Sequence, residues 1–210
     1  MNWINEYNTQ YKDKLTLNGK GGKKGINDGL FNRGEGFGII FDKLLKTKQN
    51  DFNIIETGTT RRPNNWKDGN SGYLFAQFVK SYGGMVYSVD KSKSACQRAR
   101  EAINSDQYVV DCSDSVSWLN ERTDLNQIDF FYLDSYDVEW DNDEPSADHH
   151  LKEFLAIEDH IKPGAIVAID DNSYLRGTNK RSGKGRKIVE YLESKNIKPI
   201  YDKYQIVYIF

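Results

Sequence analysis

Four apolar runs in this chain end on carboxylates. Residues 53–56 (NIIE) close on Glu56, 85–90 (MVYSVD) on Asp90, 128–134 (IDFFYLD) on Asp134, and 165–170 (AIVAID) on Asp170, with Asp171 next to it. Acids that converge repel one another unless a cation or hydrogen-bond donors satisfy them. Ribose hydroxyls, an amine and an exocyclic amino group on one ligand would satisfy several. A divalent cation, which prefers carboxylate oxygens, would satisfy the rest. The hub is the stretch 51–60, DFNIIETGTT. Gly58 has no Cβ and lets backbone come close to a ligand. Asp90 ends one strand and precedes a helix, where an acid typically accepts from ribose hydroxyls or else caps the helix. Asp114-Ser115 stands at another strand-to-helix junction, placed to meet an adenine edge or, again, to cap.

The elements that must position these residues alternate. Strands are expected at 53–56, 85–90, 108–111, 128–134 and 165–170, with helices at 71–82, 92–104, 115–121, 146–161 and 185–195 between and after them. Such alternation implies a parallel sheet with right-handed crossovers, and ligands then bind beyond the carboxyl ends of the strands. The last two runs, 198–203 and 205–210, are joined too tightly for a crossover. They form a hairpin, and one strand must run antiparallel. Ahead of the first strand, 37–46 is amphipathic and helical, and apolar residues at helical spacing over 1–17 indicate another helix. Between them, 18–25 (NGKGGKKG) reads as a flexible basic loop or a lid. The expected division is an N-terminal extension over 1–36 and one catalytic domain over 37–210.

Composition narrows the function. The chain has 210 residues, 38% hydrophobic and 13% aromatic, with a net charge of −2. That supports one sizeable domain with a real core and gives no global field for nucleic acid. Without a run of ~20 apolar residues or a charged-then-apolar leader, the expectation is a cytoplasmic protein. Cys96 and Cys112 form no metal or redox spacing.

The order of elements, the ETGT loop, Asp90 and the final hairpin resemble class I S-adenosylmethionine-dependent methyltransferases, over roughly residues 37–210. An NAD-type site would carry G-x-G-x-x-G after the first strand, where this chain has Gly58-Thr59-Thr60-Arg61. The resemblance implies an α/β Rossmann-like three-layer sandwich: a mostly parallel seven-stranded sheet with an antiparallel strand from the C-terminal hairpin. It places Glu56, Gly58, Thr59, Ser71, Gly72, Asp90, Asp114, Ser115 and Asp134 at the cofactor. A narrower resemblance is to metal-dependent O-methyltransferases of the catechol and macrolide-sugar type. These carry one metal-binding Asp after the fourth strand and an acidic pair after the fifth, which implies Asp134, Asp170 and Asp171 as ligands of a Mg2+-class ion. In that chemistry the metal holds two substrate oxygens and lowers a hydroxyl's pKa.

Departures from the family pattern leave other roles open. The insertion 61–70 (RRPNNWKDGN) offers Arg61 or Arg62 to a carboxylate and Trp66 as a cover or a packing residue. For the catalytic base the candidates are Asp134, Asp137 (where the catechol enzyme has a lysine) and a histidine, His149 or His150. The segment 176–187 (RGTNKRSGKGRK) is basic and glycine-rich without being a P-loop. It reads as a solvated loop or an anion site for a phosphorylated or nucleotide-linked sugar. The expected activity is O-methylation of a hydroxylated small molecule, with an anionic one such as a nucleotide-sugar as one reading of the acceptor. A non-catalytic Rossmann-type module and a cephalosporin-hydroxylase-like enzyme are the alternatives, and nothing in the sequence sets the oligomeric state.

Overall fold

The computed structural model describes residues 3–17, 31–63, 65–175 and 178–210. Its centre is a seven-stranded sheet: β1 (Phe52–Thr57), β2 (Gly84–Val89), β3 (Tyr108–Asp111), β4 (Phe130–Leu133), β5 (Ile166–Ile169), β6 (Tyr201–Asp202) and β7 (Ile206–Ile209). The order across the sheet is β6-β7-β5-β4-β1-β2-β3. The strands β1 to β5 pair in parallel, while β7 runs antiparallel to both β5 and β6. The expected fold class is therefore present, hairpin included.

Alternation within the strands decides what each layer buries. On one face Phe52, Ile54, Phe130, Tyr132 and Ala168 meet the helices α1 (Arg33–Thr47), α2 (Ser71–Tyr82) and α3 (Lys93–Ile103). On the other, Ile55, Phe131, Leu133, Val167 and Ile169 meet α4 (Ser115–Glu121), α5 (Glu144–Ile157) and α6 (Arg186–Ser194). The central strands β4 (FFYL) and β5 (IVAI) are buried along their whole length, as parallel strands covered on both faces must be.

Several boundaries differ from the expectation. The N-terminal segment is not one helix but an α turn (Trp3–Glu6), a π turn (Tyr7–Tyr11) and a 3-10 turn (Lys12–Leu15). These irregular turns bring Trp3, Tyr7, Tyr11 and Leu15 into the core with Phe41 of α1. Helix α5 begins at Glu144, with Pro145 in its first turn, so Ser146 is no cap; its hydroxyl donates to the Tyr136 carbonyl at 3.0 Å. Strand β4 starts at Phe130, and just ahead of it the Asp129 carboxylate accepts from the Asn53 amide at 2.7 Å. The loop 18–25 lies outside the described residues. Among the described residues, no helix is long and apolar enough to cross a membrane.

Candidate active site

Strand order puts the loops that follow β1, β2, β3 and β4 along one crevice. Its larger part, a cavity of about 300 Å³, is walled by Asp90, Asp114, Ser115, Tyr136, Asp137 and His149 among others, a size suited to a small-molecule ligand. A smaller recess beside it is lined by Gly58–Arg62, Asn70, Ser71 and Asp134. Asp90, Arg61 and Ser135 border both, so the two form one trough running past Asp90.

Asp90 is held rigidly at that junction. One carboxylate oxygen accepts from the Thr59 amide (3.2 Å), the other from the Ser92 amide (2.7 Å). Each oxygen keeps a further lone pair for a ligand. Ser92 caps α3 through Ala95 N, and Asp114 caps α4 through Ser117 N at 3.0 Å. Asp114 thus caps the helix, one of the two roles foreseen for it, and also lines the cavity.

Glu56 is beneath the trough rather than in it. It is 1% exposed and accepts from Ser88 Oγ (2.8 Å), Tyr108 OH (3.1 Å) and Ser71 Oγ. Burial pushes its carboxyl up to about 7 although the three hydroxyls pull the other way. The network ties β1, β2, β3 and the first turn of α2 together. It also explains Gly72, where a Cβ would lie 2.5 Å from Tyr108 OH and 2.9 Å from Glu56 Oε2. Gly58 (φ +81°) is required by the chain itself: a Cβ there would fall 2.6 Å from the Asp134 carbonyl oxygen. The close neighbour is the end of β4, and Gly58 also lines the recess. In the 61–70 insertion, Trp66 packs on Tyr11 and Tyr73 with ring centroids 5.1 and 5.9 Å apart.

Asp134, Asp170 and Asp171 meet, each offering a ligand atom within 4.8 Å of the others. Two cations from distant sequence meet them. Lys184 Nζ contacts Asp134 Oδ1 and lies 2.9 Å from Asp171 Oδ2. Arg33 binds Asp170 through Nε at 2.6 Å and Asp171 through Nη2 at 2.8 Å. Tyr204 OH also donates to Asp171 Oδ1. Burial opposes the Lys184 ammonium, yet the three carboxylates outweigh it and hold its pKa well above the ordinary lysine value. Neither Lys184 nor Arg33 was singled out in the sequence as a site residue. The available signal was charge balance, since three clustered acids demand buried bases.

The remaining base candidates sit differently. Asp137 is on the rim, 67% exposed and paired with Arg61 at 2.6 Å. His150 is fully buried, borders neither cavity, and is lowered by burial to about 4; its Nδ1 meets the Ser146 carbonyl and its Nε2 has no hydrogen-bond partner among the described residues. His149 faces the larger cavity, with Nε2 3.0 Å from Ser115 Oγ and 3.3 Å from Glu153 Oε1. Burial would raise Glu153, but hydrogen bonds from His149, Ser115 and Ser135 and the nearby His150 together bring it down to about 2.

The basic segment 176–187 is engaged within the chain. Arg181 pairs with Asp202, Arg186 with Asp143, Glu144 and Glu190, and Lys187 with Glu144 and Asp148. The amides of Gly183 and Gly185, just ahead of α6, donate to Asp143 and Asn172 side chains at 2.8 and 2.7 Å. Acids of the chain thus pair with Arg181, Arg186 and Lys187, while Arg176 and Gly177 lie outside the described residues.

No family model and no curated relative matches the chain. Solved structures do. A protein from Clostridium thermocellum described as an rRNA methylase superposes with a TM-score of 0.52 at 13% identity, over 81% of this chain and 94% of that one. A SAM-dependent methyltransferase from Geobacter sulfurreducens bound to S-adenosyl-L-homocysteine gives 0.49 at 10% identity, over 80% and 65%. MycE, a methyltransferase of mycinamycin biosynthesis bound to Mg and SAH, gives 0.43 at 15% identity, over 63% and 31%. The chain thus spans less than two thirds of the length of the latter two. At these identities the likeness is one of architecture: the chain has the Rossmann-like α/β fold of the methyltransferases.

Proposed function

We propose that the chain is an S-adenosylmethionine-dependent O-methyltransferase acting on a hydroxylated small molecule. The observation that supports this most is the trough itself, with Asp90 fixed at its centre by two backbone amides. Asp90 would take the ribose hydroxyls and Asp114 with Ser115 the adenine edge. Gly58, Thr59, Ser71 and Arg61 would border the methionine end, near Asp134. The donor supplies an activated sulfonium methyl, so the protein's part is alignment and removal of the acceptor's proton.

For that proton we assign Asp134. Of the four base candidates it alone lines the recess next to Gly58 and Ser71. Burial raises its carboxyl, with Lys184 opposing, which makes it a stronger base than an exposed aspartate. A Mg2+ ion does not fit the donor set as it stands. Both Asp171 oxygens and one Asp170 oxygen already accept from Arg33, Lys184 or Tyr204. Mg2+ also demands a near-octahedral oxygen shell, whereas a lysine ammonium stands against two of its three would-be ligands. No step of this reading runs through a metal.

Equilibrium dialysis with labelled S-adenosylmethionine, against NAD as control and with metal analysis of the purified chain, tests the reading. Retention of the sulfonium cofactor alone is expected. Retention of neither ligand, or iron bound at one atom per chain, would end it in favour of a scaffold or a hydroxylase-like enzyme.

A further inference from the structure

The residues around Lys184 deliver it to the acid cluster as a fixed part rather than a swinging surface side chain. The segment Arg181–Gly183 pairs antiparallel with Asn172–Tyr174 directly after the acidic pair. Gly183 has φ +118°, and a Cβ there would lie 2.2 Å from the Asp171 carbonyl oxygen. On the other side, Gly185 donates its amide to Asn172 Oδ1, and a Cβ there would fall 2.6 Å from the same oxygen. The Lys184 amide donates to the Asp171 carbonyl at 3.2 Å. Two glycines that admit no side chain thus press the backbone of Lys184 onto the turn that carries Asp170 and Asp171. The lysine side chain, 1% exposed, has one direction left to run. It ends against Asp134 Oδ1, 3.2 Å from the Asp134 carbonyl oxygen and 2.9 Å from Asp171 Oδ2.

We propose that Lys184 is a resident cation in the place where a divalent metal would otherwise sit: it joins the ends of β4 and β5 and leaves these three carboxylates without a metal. Charge supports this. With all three carboxylates ionised, the cluster with Lys184 and Arg33 has a formal charge of −1, and a divalent ion would turn it net positive, against an ammonium already in contact. Geometry supports it as well, because a lysine supplies compact charge without an octahedral oxygen shell. The proposal stands apart from the methyl-donor reading, since it concerns what the carboxylates hold whether or not the trough takes an adenosyl ligand.

The test is metal binding, not activity. EDTA-treated full-length chain is titrated with Mn2+, followed by the electron paramagnetic resonance of the free ion, with Mg2+ competition. The native chain and Lys184→Arg should leave Mn2+ free. Lys184→Met should take up one Mn2+ per chain, displaced by Mg2+, and its thermal midpoint should rise with Mn2+ but not with potassium chloride of equal ionic strength. One Mn2+ bound per native chain would overturn the proposal, as would a folded Lys184→Met chain that binds none. Should Lys184→Met fail to fold, the native titration decides alone.

Discussion

Replacing Glu56 by Gln should reshape how stability depends on pH. Glu56 ionises at about 7 in the folded protein against an ordinary 4.5, because it is buried. The folded state therefore holds a proton that the unfolded chain has released, and stability falls as pH rises from 4.5 to 7. That gap corresponds to roughly 3 kcal/mol. His150 works in the opposite sense. Burial lowers it from 6.5 to about 4, so its contribution is present above 6.5 and is lost as pH falls toward 4, again by roughly 3 kcal/mol. The two slopes nearly cancel over the shared window, so between these groups the native profile should be close to flat. Glu56→Gln removes one slope. Its stability relative to the native chain should climb by roughly 3 kcal/mol from mildly acidic to mildly basic pH, and its own profile should fall on the acid side, where His150 is no longer opposed. Urea unfolding at closely spaced pH values reads this directly, and any constant offset from altered hydrogen bonds drops out of the comparison. Parallel profiles for the two proteins would refute the placement of Glu56 as a buried, late-ionising acid.

Other substitutions probe the same site. Gly58→Ala should destabilise by roughly 2–5 kcal/mol, combining left-handed strain at φ +81° with a methyl 2.6 Å from the Asp134 carbonyl oxygen; a urea midpoint equal to the native one would contradict the close approach of β1 and β4. Arg33→Ala strands the buried Asp170 carboxylate and should cost about 3–5 kcal/mol. Adding Asp170→Asn should recover part of that loss in the same unfolding assay, and no recovery would mean the loss comes from elsewhere.

Much of the architecture was readable because hydrophobic periodicity is a local property. The helices at 71–82 and 115–121 and the strand at 108–111 start and stop where the sequence places them. Of the strand-end acids, Asp134, Asp170 and Asp171 do meet, whereas Asp90 lines the trough and Glu56 is buried beneath it. What escaped were relations between residues far apart in the chain. Arg33 and Asp170 are 137 positions apart, and Lys184 lay in a segment whose basic character suggested solvent or a bound anion. Gly58 was marked for a close approach of backbone to a ligand, and the sequence does not say that backbone beyond β4 also presses against it. The N-terminal turns miss a regular helix because Trp3, Tyr7 and Tyr11 must all reach Phe41 and its neighbours, and tertiary packing overrides the regular period there.

The central claim is that an adenosyl ligand lies across Asp90. Calorimetric titration of S-adenosylhomocysteine into the native chain and into Asp90→Ala tests it most directly. The account predicts one saturable site on the native protein, weakened about tenfold to a hundredfold in Asp90→Ala by the loss of charge-assisted hydrogen bonds to the ribose, with the variant's melting curve showing a folded protein. Equal affinity for both proteins, or no heat of binding to the native chain at millimolar ligand, would contradict it.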